Sequence, residues 1–69
     1  MSENFRWGII GTGGIARAFA KDLTFTSGHE VSAVGSRLLD KAVSFSSEYG
    51  GSAYGSYEEL VASDVDAIY

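Results

Sequence analysis

Phe5-Arg6-Trp7-Gly8-Ile9-Ile10-Gly11-Thr12-Gly13-Gly14-Ile15-Ala16 is the stretch that decides the fold. Phe5 to Ile10 is short, apolar and aromatic-rich, as a buried strand is, and it ends at a glycine turn. From Ile15 to Leu23, Ile15, Phe19 and Leu23 recur at helical spacing, while Arg17, Lys21 and Asp22 point elsewhere. The turn between strand and helix reads glycine, any, glycine, any, any, alanine. Backbone without side chains comes very close to a phosphate, and the unpaired N–H groups and positive dipole end of the next helix hold the anion. Gly11 permits the sharp turn, Gly13 admits a pyrophosphate against bare backbone, and Gly14 relaxes the loop further. Ala16 is small where the first helix must lie close to the first strand. A glycine-rich turn serving chain geometry alone would carry the same letters. Here the letters follow a strand and open a β-α-β unit of about 30 residues, the setting that dinucleotide binding requires.

The rest of the chain repeats this alternation. Glu30 to Val34, Ser52 to Tyr54 and Val65 to Tyr69 read as strands, and none alternates cleanly, which suits strands covered by helices on both faces. Thr24 to Gly28 is a polar stop ending in glycine. Leu38, Ala42, Phe45 and Tyr49 fall at helical spacing before Gly50-Gly51. Ser56-Tyr57-Glu58-Glu59 is a capping box opening a third helix, with Leu60 and Val61 as its apolar contacts. The predicted fold class is therefore α/β, a Rossmann-like parallel sheet of order β-α-β-α-β-α-β with right-handed crossovers. The fourth strand stops at its most apolar point, so residues 1–69 are expected to be the N-terminal part of a dinucleotide-binding domain, truncated in that strand.

Composition narrows the function classes. The 69 residues carry a net charge of −4, and the five basic residues at 6, 17, 21, 37 and 41 form no stripe, which argues against nucleic acid as a partner. No apolar run nears the ~20 residues of a membrane helix. Arg6, the apolar run after it and Ala16-Arg17-Ala18 imitate a signal peptide, but Gly8, Gly11, Gly13 and Gly14 break the segment and Glu3 dilutes its positive start. There is no cysteine, hence no disulfide framework and no zinc ligand set, and a reducing cytoplasmic setting is compatible with that. No metal-binding residues are expected.

The tip of the second strand addresses the choice of ligand, since a flavin or another nucleotide can use the same glycine turn. Sites that read a free ribose 2′-hydroxyl place a carboxylate about 20 residues after the loop. Gly35-Ser36-Arg37 stands there instead, with no acid before Asp40. Ser36 can donate to a 2′-phosphate, Arg37 can grip it bidentately or stack on adenine, and Lys41 reinforces the positive pole. NADP is the predicted cofactor, with NAD the alternative; the competing view of Arg37 is a solvated side chain at a helix start.

Other polar residues read as structural. His29 is expected to be a solvated loop residue, and Asp64 and Asp66 solvent-facing turn residues. Phe5, Trp7 and Ile9 share one strand face, and Tyr49, Tyr54 and Tyr57 are packing groups with a polar tip.

Arg6 to Ala16, Ala33-Val34-Gly35-Ser36-Arg37, Ala53-Tyr54-Gly55-Ser56-Tyr57-Glu58-Glu59-Leu60 and Val65-Asp66-Ala67-Ile68-Tyr69 together resemble the start of the glucose–fructose oxidoreductase/inositol dehydrogenase/rhizopine catabolism (Gfo/Idh/MocA) family. The tyrosine-glycine-serine-tyrosine stretch looks most like the branch of dihydrodiol dehydrogenases and NADP-linked D-xylose dehydrogenases. The resemblance implies an N-terminal Rossmann domain followed by a larger α/β domain, which leaves room for a homo-oligomer. It also implies hydride exchange between a nicotinamide cofactor and a sugar, cyclitol or related alcohol. Carried over by position, Gly11, Thr12, Gly13, Gly14 and Ile15 face the pyrophosphate, Ser36 and Arg37 the ribose phosphate, and Lys41 assists.

The family's catalytic lysine lies in a glutamate-lysine-proline motif beyond the fourth strand, and its usual histidine or aspartate follows later. Neither falls within residues 1–69, so no catalytic residue is assigned and these residues alone are expected to be inactive. The alternatives are a dinucleotide-binding sensor on the same scaffold, as in a galactose-pathway repressor of this family, and an inactive truncated product.

Overall fold

The structure is a computed structural model that describes residues 4–69. Its elements are β1 (Phe5–Ile10), α1 (Gly14–Thr24), β2 (His29–Gly35), α2 (Leu39–Tyr49), β3 (Ser52–Tyr54), α3 (Tyr57–Ala62) and β4 (Ala67–Ile68), the predicted order. The four strands form one parallel sheet in the order β3-β2-β1-β4. The chain steps outward from β1 to β3 and then crosses back to place β4 on the other side of β1. In such a sheet ligands bind beyond the carboxyl ends of the strands, where the direction of winding reverses.

The sheet is covered on both faces. Ile9, Ala16, Ala20, Leu23, Val31, Val34, Ala42 and Phe45 form the core between the sheet and helices α1 and α2. Val31 and Val34 are three residues apart and would point to opposite faces of a regular strand. The pairing jumps from Trp7–Val31 to Gly8–Ala33, which leaves Ser32 as the extra residue of a bulge and brings both valines to one face. Gly51, with φ +91°, lies against this bulge, where a Cβ would come within 2.9 Å of the Val31 carbonyl oxygen. On the opposite face Leu60 of α3 is fully buried beside Gly8 and Gly35.

The helix faces differ from the predicted ones. In α1 the buried residues are Ala16, Ala20 and Leu23, with Phe19 packed beside them, whereas Ile15 is 77% exposed. The helix sits so close to the sheet that alanines, not the larger Ile15, meet the strands. In α2, Leu38 is the exposed N-cap outside the apolar face, and in α3 Val61 is exposed and Leu60 alone is buried. The capping box forms as Ser56 Oγ accepting from Glu59 N at 3.2 Å, while the Ser56 hydroxyl, not its backbone amide, donates to Glu59 Oε1 at 3.1 Å.

Asp64 and Asp66 are the expected exposed turn residues and both also pair with Arg6, whereas His29, expected to be a solvated loop residue, is not one. Arg6 Nη1 lies 2.8 Å from Asp64 Oδ2, and Arg6 Nη2 lies 3.3 Å from Asp66 Oδ1. The Arg6 amide also donates to Asp66 Oδ2 at 2.8 Å. That amide first, and the guanidinium second, hold the Asp66 carboxyl below its usual range. Both carboxylates thus tie the entrance of β4 to β1. His29 is the half-buried first residue of β2, and its Nδ1 accepts from Trp7 Nε1 at 3.1 Å. The indole needs an acceptor once its ring is partly buried against Phe19, and His29 supplies it.

Candidate functional site

Gly11 leaves the end of β1 in a left-handed conformation, φ +88°, and its amide donates to the Gly35 carbonyl at the end of β2, 2.8 Å away. The β1–α1 and β2–α2 loops are thereby fastened together at the carboxyl edge of the sheet. Gly13 is the N-cap of α1 with an ordinary φ of −76°. A Cβ on Gly13 or on Gly14 would meet nothing within 4 Å. Neither backbone strain nor packing requires glycine at these two positions, and Gly14 at the start of α1 sacrifices helix propensity that alanine would supply. What the two glycines preserve is open space.

That space lies at the start of α1, where the first helical bond runs from Arg17 N to Gly13 O at 3.0 Å. The amides of Gly14, Ile15 and Ala16 precede it and have no helical acceptor. No side chain caps the helix and no acidic residue occupies its first turn. Bare backbone, orphan donors and an uncompensated positive dipole end coincide, which fits a diphosphate. Ala16, 8% exposed, packs with Ile9 and Val34 and brings the helix close to the strands, as the motif requires. Thr12 is half-buried in the same loop, and the exposed Ile15 borders it.

The second loop is built as tightly. Ser36 is 7% exposed; its amide donates to the Tyr54 carbonyl at 3.1 Å and its Oγ accepts from Leu38 N at 3.3 Å. Because that oxygen acts as acceptor, and donates to no described residue, its hydrogen remains for another partner. Arg37 and Lys41 are exposed, Lys41 in the first turn of α2. Among the described residues neither makes an ion pair, whereas Arg6 and Arg17 are both engaged by carboxylates. The structure therefore brings Gly11 to Ile15 and Ser36-Arg37 to adjoining loops on adjacent strands, with Lys41 beside them.

The guanidinium carbon of Arg37 lies 5.9 Å from the centre of the Tyr57 ring, a contact the sequence did not disclose. Its only trace there is the Tyr54-Gly55-Ser56-Tyr57 spacing, which carries no pairing information by itself. An open groove of about 490 Å³ lies elsewhere, at the amino ends of the strands, between Leu23, Gly28, His29 and Gly50, and includes none of these residues. Among the described residues no group of three or more His, Cys, Asp or Glu is placed to hold a metal ion. No helix among the described residues is long and apolar enough to cross a membrane.

A family model described as "Oxidoreductase family, NAD-binding Rossmann fold" matches residues 5–69. The chain belongs to the Gfo/Idh/MocA family. Trans-1,2-dihydrobenzene-1,2-diol dehydrogenase of Xenopus laevis is 43% identical over 68 residues, covering 93% of the chain and 21% of that protein. D-xylose 1-dehydrogenase (NADP(+)) of Hypocrea jecorina is 41% identical over 78 residues, covering 93% of the chain and 20% of that enzyme. Among solved structures, KijD10, a 3-ketoreductase from Actinomadura kijaniata in complex with NADP, superposes with a TM-score of 0.91 at 35% identity, over 97% of the chain and 22% of KijD10. The chain thus spans about a fifth of the length of these Gfo/Idh/MocA relatives.

Proposed function

We propose that residues 1–69 are the NADP-binding portion of a cytoplasmic Gfo/Idh/MocA oxidoreductase that transfers hydride to or from a sugar, cyclitol or related alcohol. The observation that carries this reading is the pair Gly13 and Gly14, glycines that the fold itself does not need, standing over amides without an acceptor among the described residues. The names of the relatives, a diol dehydrogenase, an NADP-linked sugar dehydrogenase and an NADP-bound ketoreductase, support the reaction and substrate classes.

In this proposal Gly11 faces the diphosphate and shapes the turn, its own amide being engaged by the Gly35 carbonyl, while Thr12, Gly13, Gly14 and Ile15 hold the group through backbone amides. Ser36 donates its free hydroxyl hydrogen to the 2′-phosphate, Arg37 grips the same group in its planar fork, and Lys41 adds positive charge. The nicotinamide supplies the hydride chemistry when bound. These residues bind and orient; proton transfer to the substrate oxygen falls to residues outside 1–69. The absence of cysteine suits the reducing cytoplasm.

Replacing Gly13 with valine in the complete protein tests the reading. The branched side chain meets no protein atom within 4 Å of its Cβ, so the fold should survive while it obstructs the diphosphate. Isothermal titration with NADP should show binding abolished; retained affinity would reduce the glycine loop to a turn.

A further inference from the structure

Three contacts join the β3–α3 segment to the loop that carries Arg37. The Tyr54 carbonyl accepts from the Ser36 amide at 3.1 Å. Gly55 lies so close to α2 that a Cβ there would be 3.3 Å from Leu39 Cβ. Tyr57 places its ring under the Arg37 guanidinium at 5.9 Å. Tyr57 is the first residue of α3, half-buried, and the Ser56–Glu59 capping box fixes where that helix starts. Nothing else among the described residues pairs with the guanidinium.

From these contacts we propose that Tyr57 is a positioning residue for coenzyme selection: it holds the Arg37 side chain over its ring so that the guanidinium edge is presented to the 2′-phosphate of NADP. The inference rests on the NADP reading given above. The geometry suits both tasks at once. An aromatic ring engages the face of a guanidinium, whereas its N–H donors lie in the plane and stay free for two parallel hydrogen bonds to phosphate. An exposed arginine otherwise samples many rotamers and must surrender that freedom on binding, so an arginine already held loses less. Tyr57 need not touch the coenzyme for this effect.

The test is a coenzyme titration of the complete protein with Arg37→Ala, Tyr57→Phe, Tyr57→Leu and the Arg37→Ala/Tyr57→Leu double variant. Tyr57→Leu should weaken NADP binding about two- to five-fold and leave NAD binding unmoved, the range expected for an exposed cation–π contact. Tyr57→Phe should retain wild-type affinity because the ring is kept. In the Arg37→Ala background Tyr57→Leu should have no further effect. If Arg37→Ala leaves the NADP-to-NAD ratio unchanged, Arg37 does not read the 2′-phosphate, and that part of the proposed function fails together with the positioning role. If Arg37→Ala lowers that ratio but Tyr57→Leu does not, or weakens both coenzymes in parallel, the positioning role is overturned while the cofactor reading stands. A Tyr57→Phe variant as weak as Tyr57→Leu would overturn it too, by assigning the effect to the hydroxyl.

Discussion

Gly35 and Leu60 share a space that holds one side chain: a Cβ on Gly35 would lie 2.8 Å from the Cβ of Leu60. Gly35 is the last residue of β2 and its carbonyl fastens the Gly11 amide, so the contact sets the seat of α3 and the junction of the two loops together. Gly35→Ala must displace either the helix or the strand end. It should destabilise the protein by about 1–3 kcal/mol, the usual cost of overpacking. Leu60→Ala, which empties a fully buried site, should cost about 2–5 kcal/mol. The double variant should cost somewhat less than the sum: Leu60→Ala keeps the Cβ at 2.8 Å but removes Cδ2 and Cγ, which would lie 3.0 and 3.4 Å from the new Cβ, and leaves the shortened side chain room to shift. Urea unfolding of all three checks this, and strict additivity would deny the contact.

The Arg6–Asp66 pairing predicts a pH dependence. The folded carboxyl of Asp66 titrates below its unfolded counterpart, chiefly because the Arg6 amide donates to its charged form. A depressed folded value means that the unfolded chain binds the proton first. The stabilisation is complete above the ordinary carboxylate range, near pH 4, and is lost as pH falls through the lower folded value. Asp66→Asn should flatten this acid limb in unfolding curves taken between pH 6 and the acid transition, at about 0.1 M salt. An unchanged acid limb in the variant would remove Asp66 from the account.

Much of this arrangement was legible in the residues, and what was not has a physical cause. Element order came from short local signals: the glycine turn, paired Gly50-Gly51 and the Ser56–Glu59 box all act within a few positions. Faces were harder. A spacing of four chose Ile15, Phe19 and Leu23, but close approach to the sheet favours small residues, so Ala16 and Ala20 are buried and Ile15 is not. The bulge at Ser32 shows in no residue pattern, because it follows from the pairing of two strands. Long-range partners were invisible for the same reason. His29 reads as a loop residue because its partner Trp7 is 22 positions away, and Asp64 and Asp66, exposed turn residues as expected, give no sign in sequence of their pairing with Arg6. Within the candidate site, the loops Gly11 to Ile15 and Ser36-Arg37 were found from spacing, whereas the ring beneath Arg37 comes from a helix twenty residues further along the chain.

The charge on Arg37 gives the sharpest prediction about coenzyme choice. The side chain is exposed, makes no ion pair with any described residue and stands where a carboxylate would read a free 2′-hydroxyl. A charge-assisted contact to the 2′-phosphate contributes roughly 1.5–3 kcal/mol, or about a ten- to hundred-fold preference. Arg37→Asp in the complete protein removes that contact and sets a like charge against the phosphate, while offering an acceptor to the ribose hydroxyl of NAD. The ratio of NADP to NAD affinity should therefore fall by at least ten-fold and move toward NAD. Because Arg37 is exposed and lies outside the core cluster, the melting temperature without coenzyme should stay within about a degree or two of wild type. Paired titrations with both coenzymes measure the ratio. A variant that kept the wild-type ratio would make Arg37 a solvated residue and place selection elsewhere in the protein.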